Sequence, residues 1–244
     1  MKNSGRGQGP SLRSVFFRAY IRLCAVVVCI GLASGAQTAS RWTTEAVVKQ
    51  LDRAAGEFRS LTADLEHVKY TAVVKDASTE SGQIAVRRDE KMRIEIKNPD
   101  PRTILRTGDS LYIYNPKINR VEEYDLGKNR AMVDQYLRLG FGTKGEDLKK
   151  GYLLTVLNEE NFDNRKTIVL ELTPKSDHVR SQISKIQLWI DESSWVPVQQ
   201  KFFEAGSGDY FLAHYTNIVK NAQLPDSRFK QDWPKGVTRV KPRF

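Results

Sequence analysis

Cysteine occurs only at positions 24 and 29 of the 244 residues, and both sit in the one sizeable apolar run, LCAVVVCIGL (23–32). That run has ten residues, short of the roughly 20 needed to span a bilayer. The 22 residues before it lack acids and carry Lys2, Arg6, Arg13, Arg18 and Arg22, and the small residues ASGA (33–36) follow it. Basic, apolar and small segments in that order predict a secretory signal peptide over 1–36, cleaved near Ala36. Val28 before Cys29 is too large for a lipid-attachment site. Residues 37–244 then contain no cysteine, which excludes disulfides, thiol chemistry and cysteine-bound zinc. Losing five basic residues takes the formal charge from +10 to +5, too weak for a nucleic-acid footprint.

Catalytic signatures are equally scarce. There is no G-x-S-x-G, no G-x-x-x-x-G-K, no G-x-G-x-x-G and no H-E-x-x-H. His67, His178 and His214 are too scattered to suggest a metal site. The acid pairs Glu122/Glu123, Glu159/Glu160 and Asp191/Glu192 are sequence neighbours, so on strands they face opposite ways. Trp42, Trp189, Trp195 and Trp233 could stack a sugar, but strand and tail packing is the simpler role. The residues predict neither an enzyme nor a cofactor.

What the sequence does have is alternation. Thr43–Phe58 reads as a helix with Val47, Leu51, Ala54, Ala55 and Phe58 on one face, a threonine cap, and Glu45 in the first turn. Strand patterns follow at 61–74, then in a hairpin at 82–96, then at 102–107, 110–115 and 120–126, separated by short Gly, Pro and Asn turns. KNRAMVDQYLRLG (128–140) predicts a second helix with a Met132, Val133, Tyr136 and Leu137 stripe. The connector 141–151 has room for one more helical turn. Strands resume at 152–158, 166–172, 183–191, 195–204 and 210–219, and the tail is extended. About ten antiparallel strands and two or three helices predict one mainly β (α+β) domain over 37–244. Its expected shape is a curved, open half-barrel with helices plugging the concave side.

In GQIAVRRDEKMRIEI (82–96), period-two alternation puts Ile84, Val86 and then Arg88 on one face, joined across the hairpin by Met92, Ile94 and Ile96. An arginine aimed at an apolar face has two readings. It is a strand-end residue whose stem lies on apolar surface, or a latch whose fixed donors bind backbone carbonyls.

Five motifs in order resemble the LolA-like family of outer-membrane lipoprotein carrier and sorting proteins. They are GQIAVRR (82–88), GDSLYIYNP (108–116), LTPK (172–175), I-x-x-I-x-L-W-I-D (183–191) and F-K-x-x-x-P-K-G-V (229–237). The resemblance covers residues 43–241. It implies an unclosed antiparallel barrel with a helical lid over an apolar cavity. It also implies a periplasmic carrier taking acylated lipoprotein from an inner-membrane ABC transporter to an outer-membrane acceptor. The arginine closing the family's basic pair, Arg88 here, latches the lid helices. The family's next residue is proline; here Asp89 is expected to pair with Arg88 and hold it outward. MRIEI (92–96) also lacks an aromatic residue usual on that strand.

The expected site is therefore Arg88, with Ile84, Val86, Met92, Ile94, Ile96, Val47, Leu51, Met132, Val133, Tyr136 and Leu137 lining the cavity and lid. The expected function is shielding acyl chains of lipoprotein or lipid cargo, by a monomer without metal. The competing reading is a non-carrier binding or sensor module on the same fold.

Overall fold

A computed structural model of the chain describes residues 41–127 and 139–242. Backbone contacts divide the chain into Met1–Ala39 and Ser40–Phe244, and every described residue lies in the second unit. Its first element is the expected helix, α1 (Thr44–Glu57). Thr43 Oγ1 accepts a 3.2 Å hydrogen bond from Ala46 N, satisfying a first-turn donor that the helix itself leaves unpaired. Val47, Val48, Leu51, Ala54 and Ala55 are its buried stripe.

Among the described residues twelve strands follow, interrupted by two short helices. They are β1 (Ser60–Thr71), β2 (Asp76–Arg87), β3 (Lys91–Asn98), β4 (Arg102–Thr107), β5 (Ser110–Asn115), β6 (Arg120–Asp125), β7 (Tyr152–Phe162), β8 (Arg165–Pro174), β9 (Ile183–Asp191), β10 (Pro197–Glu204), β11 (Tyr210–Lys220) and β12 (Thr238–Val240). The helices are α2 (Gly145–Gly151), before β7, and α3 (Asp177–Arg180), between β8 and β9. All twelve strands join one sheet in the order β12-β6-β5-β4-β3-β2-β1-β11-β10-β9-β8-β7. Every pairing is antiparallel except that of β12 with β6. Strand twist and register shifts in β1, β7 and β10 curve this sheet without closing it. The mainly β, open curved architecture agrees with the alternation in the sequence.

Two local expectations need correction. The pattern at 61–74 predicted an uninterrupted strand, but β1 stops at Thr71 and Ala72–Lys75 is a turn, closed by Lys75 N donating to Ala72 O at 3.2 Å. Residues 76–81, which fall between the predicted runs 61–74 and 82–96, belong to β2. The tail also contains more than extended chain. A 3-10 turn (Asp226–Phe229) precedes β12.

Cross-strand partners share a face, so the register identifies the inner surface. One row runs Val156–Leu170–Leu188–Gln200–Ala213 over five strands. Others run Ala63–Ile84–Ile94–Ile104 and Leu61–Val86–Met92–Arg106. The opposite, outer face of β2–β6 carries its own cluster of Ala85, Leu105, Tyr112 and Val121. Phe229, Leu224, Trp233 and Val237 of the tail cover it.

Gly82 marks a close approach of β2 to β3. A Cβ there would lie 2.1 Å from Glu95 O, a backbone atom that cannot move aside without breaking the ladder. Gly82→Ala is expected to destabilise the protein by about 2 kcal/mol or more. Urea unfolding of the two proteins measures it; equal midpoints would mean the strands can part without cost.

Candidate functional site

The inner face divides into two contiguous apolar clusters. On the β7–β10 side, Ile168, Leu170, Leu172, Ile186, Leu188 and Ile190 pack under Val47 and Leu51 of α1, with Leu139, Leu148 and Tyr152. On the β1–β3 side, Ile84, Val86, Met92 and Ile96 pack with Phe58, Leu61, Leu65, Phe141 and Tyr215, and Ile94 lies against them half-buried. Of the expected lining, Val47 and Leu51 thus belong to one half, and Ile84, Val86, Met92, Ile94 and Ile96 to the other. Met132, Val133, Tyr136 and Leu137 lie outside the described residues.

Strand order explains what covers this face. β6 is next to one edge of the sheet and β7 is the other edge, so the chain between them must cross. After its undescribed stretch, the crossing segment contributes Leu139 to one cluster and Phe141 to the other. Gln200 Nε2 donates to Leu139 O at 2.6 Å and Gln200 Oε1 accepts from Tyr215 Oη at 3.2 Å, so the two buried side chains tether the segment to the sheet. Burial pushes the Tyr215 hydroxyl pKa well up, which keeps it a neutral donor. Gly142 (φ +70°) has the Phe58 ring 2.5 Å from where a Cβ would be, so the segment passes directly over that ring.

Arg88 lies one residue beyond β2. Its backbone N donates to Arg59 O at 2.8 Å. Its guanidinium Nη1 donates at 3.2 Å to Gly56 O, in the last turn of α1, where helix carbonyls lack internal partners. Asn221 ties the same end, donating to Glu57 O at 3.2 Å and accepting from Arg59 N at 2.8 Å. Arg88 remains exposed.

Asp89 does not pair with Arg88. It accepts two hydrogen bonds from Arg87, at 2.7 and 2.8 Å. Asp89 lies in the Arg88–Glu90 turn, which brings its carboxylate back to the guanidinium of Arg87 at the end of β2. Arg87 also binds Asp226 and donates to Leu224 O at 2.7 Å, while its guanidinium lies 5.1 Å from the Phe229 ring centre. Lys91 reaches Asp226 at 2.9 Å. The hydrogen bonds from Arg87 hold both carboxylates below their usual pKa, assisted by Lys91. This cluster fastens the tail across the outer face, and Arg88 is left to the helix.

Arg106 was not anticipated. It is fully buried on the inner face, opposite Met92, and donates to Glu90 O. The alternation in RTILRT, which places it beside Ile104, was the available signal. Asn221 gave none.

The other polar candidates serve packing or structure. Trp42 meets Trp195 edge-on at 5.0 Å, Trp233 lies 5.0 Å from Tyr114, and Trp189 lies 6.3 Å from Phe162. Asp191 is buried, caps Ser193 N at 2.9 Å and pairs with Arg165 at 2.9 Å. A cleft of about 450 Å³ beside Asp64, Gln83, Asn217 and Arg228 also holds polar groups. Among the described residues no cluster of His, Cys, Asp or Glu could hold a metal, and no helix is long and apolar enough to cross a membrane.

A family model whose description reads "-like: Uncharacterized protein" matches residues 88–220, more than half of the chain. The outer-membrane lipoprotein carrier protein of Ralstonia nicotianae is 23% identical over 222 residues, covering 91% of this chain and 96% of that one. The chain belongs to the LolA-like family of outer-membrane lipoprotein carrier and sorting proteins. An uncharacterized protein of Methanocaldococcus jannaschii is 22% identical over 191 residues, and this chain spans about half (52%) of its length. In fold, this LolA-like chain is similar to an uncharacterized conserved protein from Thermus thermophilus. The TM-score is 0.55 at 9% identity, covering 82% of this chain and all of the other.

The Arg87–Asp89–Asp226–Lys91 cluster gives a pH dependence. Carboxylates with lowered folded pKa stabilise fully above the unfolded value, near 4, and lose that contribution as pH falls through the folded values. The tail should therefore stay docked from pH 8 to 5 and loosen below about 4, where pepsin cuts within 224–233 before it cuts the sheet. In Arg87→Leu, trypsin should cut after Arg228 at neutral pH. Equal resistance of variant and parent would remove the fastening role.

Proposed function

We propose that this protein is a periplasmic carrier that shelters acyl chains, of lipoproteins or of other lipids, between its curved sheet and the cover lying on it. The supporting observation is that the apolar inner face is covered by one short helix and a crossing segment instead of a second sheet. Such a cover can leave without breaking the ladder. No reacting group enters this account, and the protein is read as a carrier without catalytic activity.

The magnitudes agree. Displacing α1 would expose Val47, Val48 and Leu51 with two alanines, at a cost of about 5–10 kcal/mol. An acyl chain gains about 0.8 kcal/mol per buried CH₂, so a sixteen-carbon chain returns on the order of 10 kcal/mol. Lid-for-lipid exchange is therefore close to balanced, as a carrier that must both load and unload requires. Without cargo the lid closes, because an uncovered inner face would expose a large apolar patch to water.

On this reading Arg88 and Asn221 are the releasable end of the lid. Their bonds to Gly56 O and Glu57 O are few, polar and near solvent, so water can replace them. Ile168, Leu170 and Leu188 line the half that opens beneath Val47 and Leu51, and Ile84, Val86, Met92, Ile94 and Ile96 line the adjoining half. The basic–apolar leader would take the chain to the periplasm and be cleaved near Ala36. The partners would be those the family name suggests: a membrane machine that loads the carrier, and an outer-membrane acceptor.

Native mass spectrometry of the protein purified gently from the periplasm, followed by organic extraction, tests the proposal. A bound acylated peptide is the expected result. Free lipid would make it a general lipid shuttle. An apo mass that persists after incubation with lipoprotein-bearing membranes, loading machine and ATP would sink the carrier and favour a protein-binding or sensor module. Arg88→Leu is expected to leave global stability within about 1 kcal/mol, because the bond it removes is exposed. Amide exchange should rise at the C-terminal end of α1, and cargo release should slow. Parent-like exchange and delivery would reduce Arg88 to a strand end.

A further inference from the structure

The turn between β1 and β2 breaks the rule that the neighbouring turns obey. Tight turns favour Gly, Asn, Asp, Ser and Pro, which tolerate the required angles or bond to the backbone. The β4–β5 turn uses Gly108–Asp109, the β7–β8 turn Asp163–Asn164, and the β10–β11 turn Gly206–Ser207–Gly208; the β2–β3 turn is charged throughout, Arg88–Asp89–Glu90. The β1–β2 turn instead places Val73 and Val74 at its two central positions. Both are β-branched and poor in turns, and neither packs. Val73 is 88% exposed and Val74 67% exposed, the two highest values among the exposed large apolar side chains of the described residues. Neither turn chemistry nor the core accounts for them.

Their surroundings supply the missing partner. The ladder from β2 to β3 runs from Ser81 to Arg87, so Asp76–Glu80 and the turn extend beyond it. Behind the tip, Tyr70 stacks on Tyr210 at 4.9 Å, with Phe203 at 6.3 Å from Tyr210. Lys201 lies 3.8 Å from the centre of the Tyr210 ring and Lys69 lies 5.4 Å from that of Phe211. Lys75 closes the turn with φ +52° and is exposed. Of the nearby acids, Asp209 is engaged by Ala72 N at 2.8 Å and Glu80 by Arg102 at 2.6 and 2.7 Å. Asp76 accepts from Ala77 N. An apolar point, a ring of amphipathic aromatics and a collar of lysines is the profile of a segment seated at a bilayer interface.

We infer that the Ala72–Lys75 turn is a membrane-docking tip, with Val73 and Val74 entering the acyl boundary of a bilayer and Lys69, Lys75 and Lys201 meeting anionic phospholipid headgroups. Two valines give a weak, reversible hold, so the protein touches down without becoming an integral component. His67 and Lys69 share the inner-face side of β1 with Leu65, so the docked tip brings the end of the concave face to the membrane surface. The inference deepens the carrier reading and rests on it only for the purpose of docking. Vesicle binding by cargo-free protein tests the tip whether or not cargo is carried.

The test is co-sedimentation of the full-length gene product, purified after export and stripped of lipid, with vesicles of phosphatidylethanolamine and phosphatidylglycerol, 3:1. The parent is expected to bind these more tightly than pure phosphatidylcholine vesicles, and less tightly as salt rises. Val73→Asp/Val74→Asp should lose at least about tenfold in binding, with an unchanged melting temperature because both side chains are exposed. Val73→Leu/Val74→Leu should bind more tightly. Equal binding by all three proteins, or no binding by the parent, overturns the inference. Binding only to membranes that carry envelope proteins also overturns it and assigns the tip to a protein partner.

Discussion

A sheet that curves but does not close must hide its apolar inner face under something else, and here that is α1 with the segment crossing from β6 to β7. The remaining architecture follows from this constraint. Because β6 and β7 sit near opposite edges, their connection has no path except across the face or around the molecule. From Leu139 onward the described part of this connection lies on the face, Leu139 serving one apolar half and Phe141 the other. Gln200 and Tyr215 interrupt the inner surface with polar atoms because they hold this segment in place.

The two coverings of the sheet are fastened differently. On the outer face the tail is held by a knot of charges, with Arg87 between two carboxylates and over an aromatic ring. On the inner face the end of α1 is held by Arg88 and Asn221 through single bonds to backbone carbonyls. Adjacent arginines on opposite sides of one strand end thus serve a firm attachment and a light one. On the proposed carrier reading that asymmetry lets only one surface open.

Much of this was legible in the sequence. α1 was visible from its 3.6-residue spacing and threonine cap, and β9 from alternation that ends where the Asp191 turn begins. The inner-face position of Ile84, Val86, Met92, Ile94 and Ile96 followed from period two, and so did the orientation of Arg88. The same period places Arg106 inside, two residues past Ile104 on β4, whereas the pairing of Asp89 with Arg87 depends on the turn that follows β2. The β1–β2 turn was hidden because Val73 and Val74 carry strand chemistry in a turn. β12 was hidden because three residues carry no detectable period; its pairing with β6 is a tertiary event. The division of the inner face between α1 and the crossing segment depends on strand order, which local patterns do not encode.

The sheet's two halves are joined through β1 and β11, where Leu61 pairs with Lys220 and Tyr70 with Tyr210. More than half of the polypeptide separates these partners. A chain emerging N-terminus first therefore makes β1 long before the strand that locks it in place exists. Local hairpins can form and dissolve, but the curved surface assembles only once residue 220 is available. Contacts so distant in sequence form slowly. The topology thus works as a timer, leaving the curved surface incomplete until β11, the last strand but one, has been made.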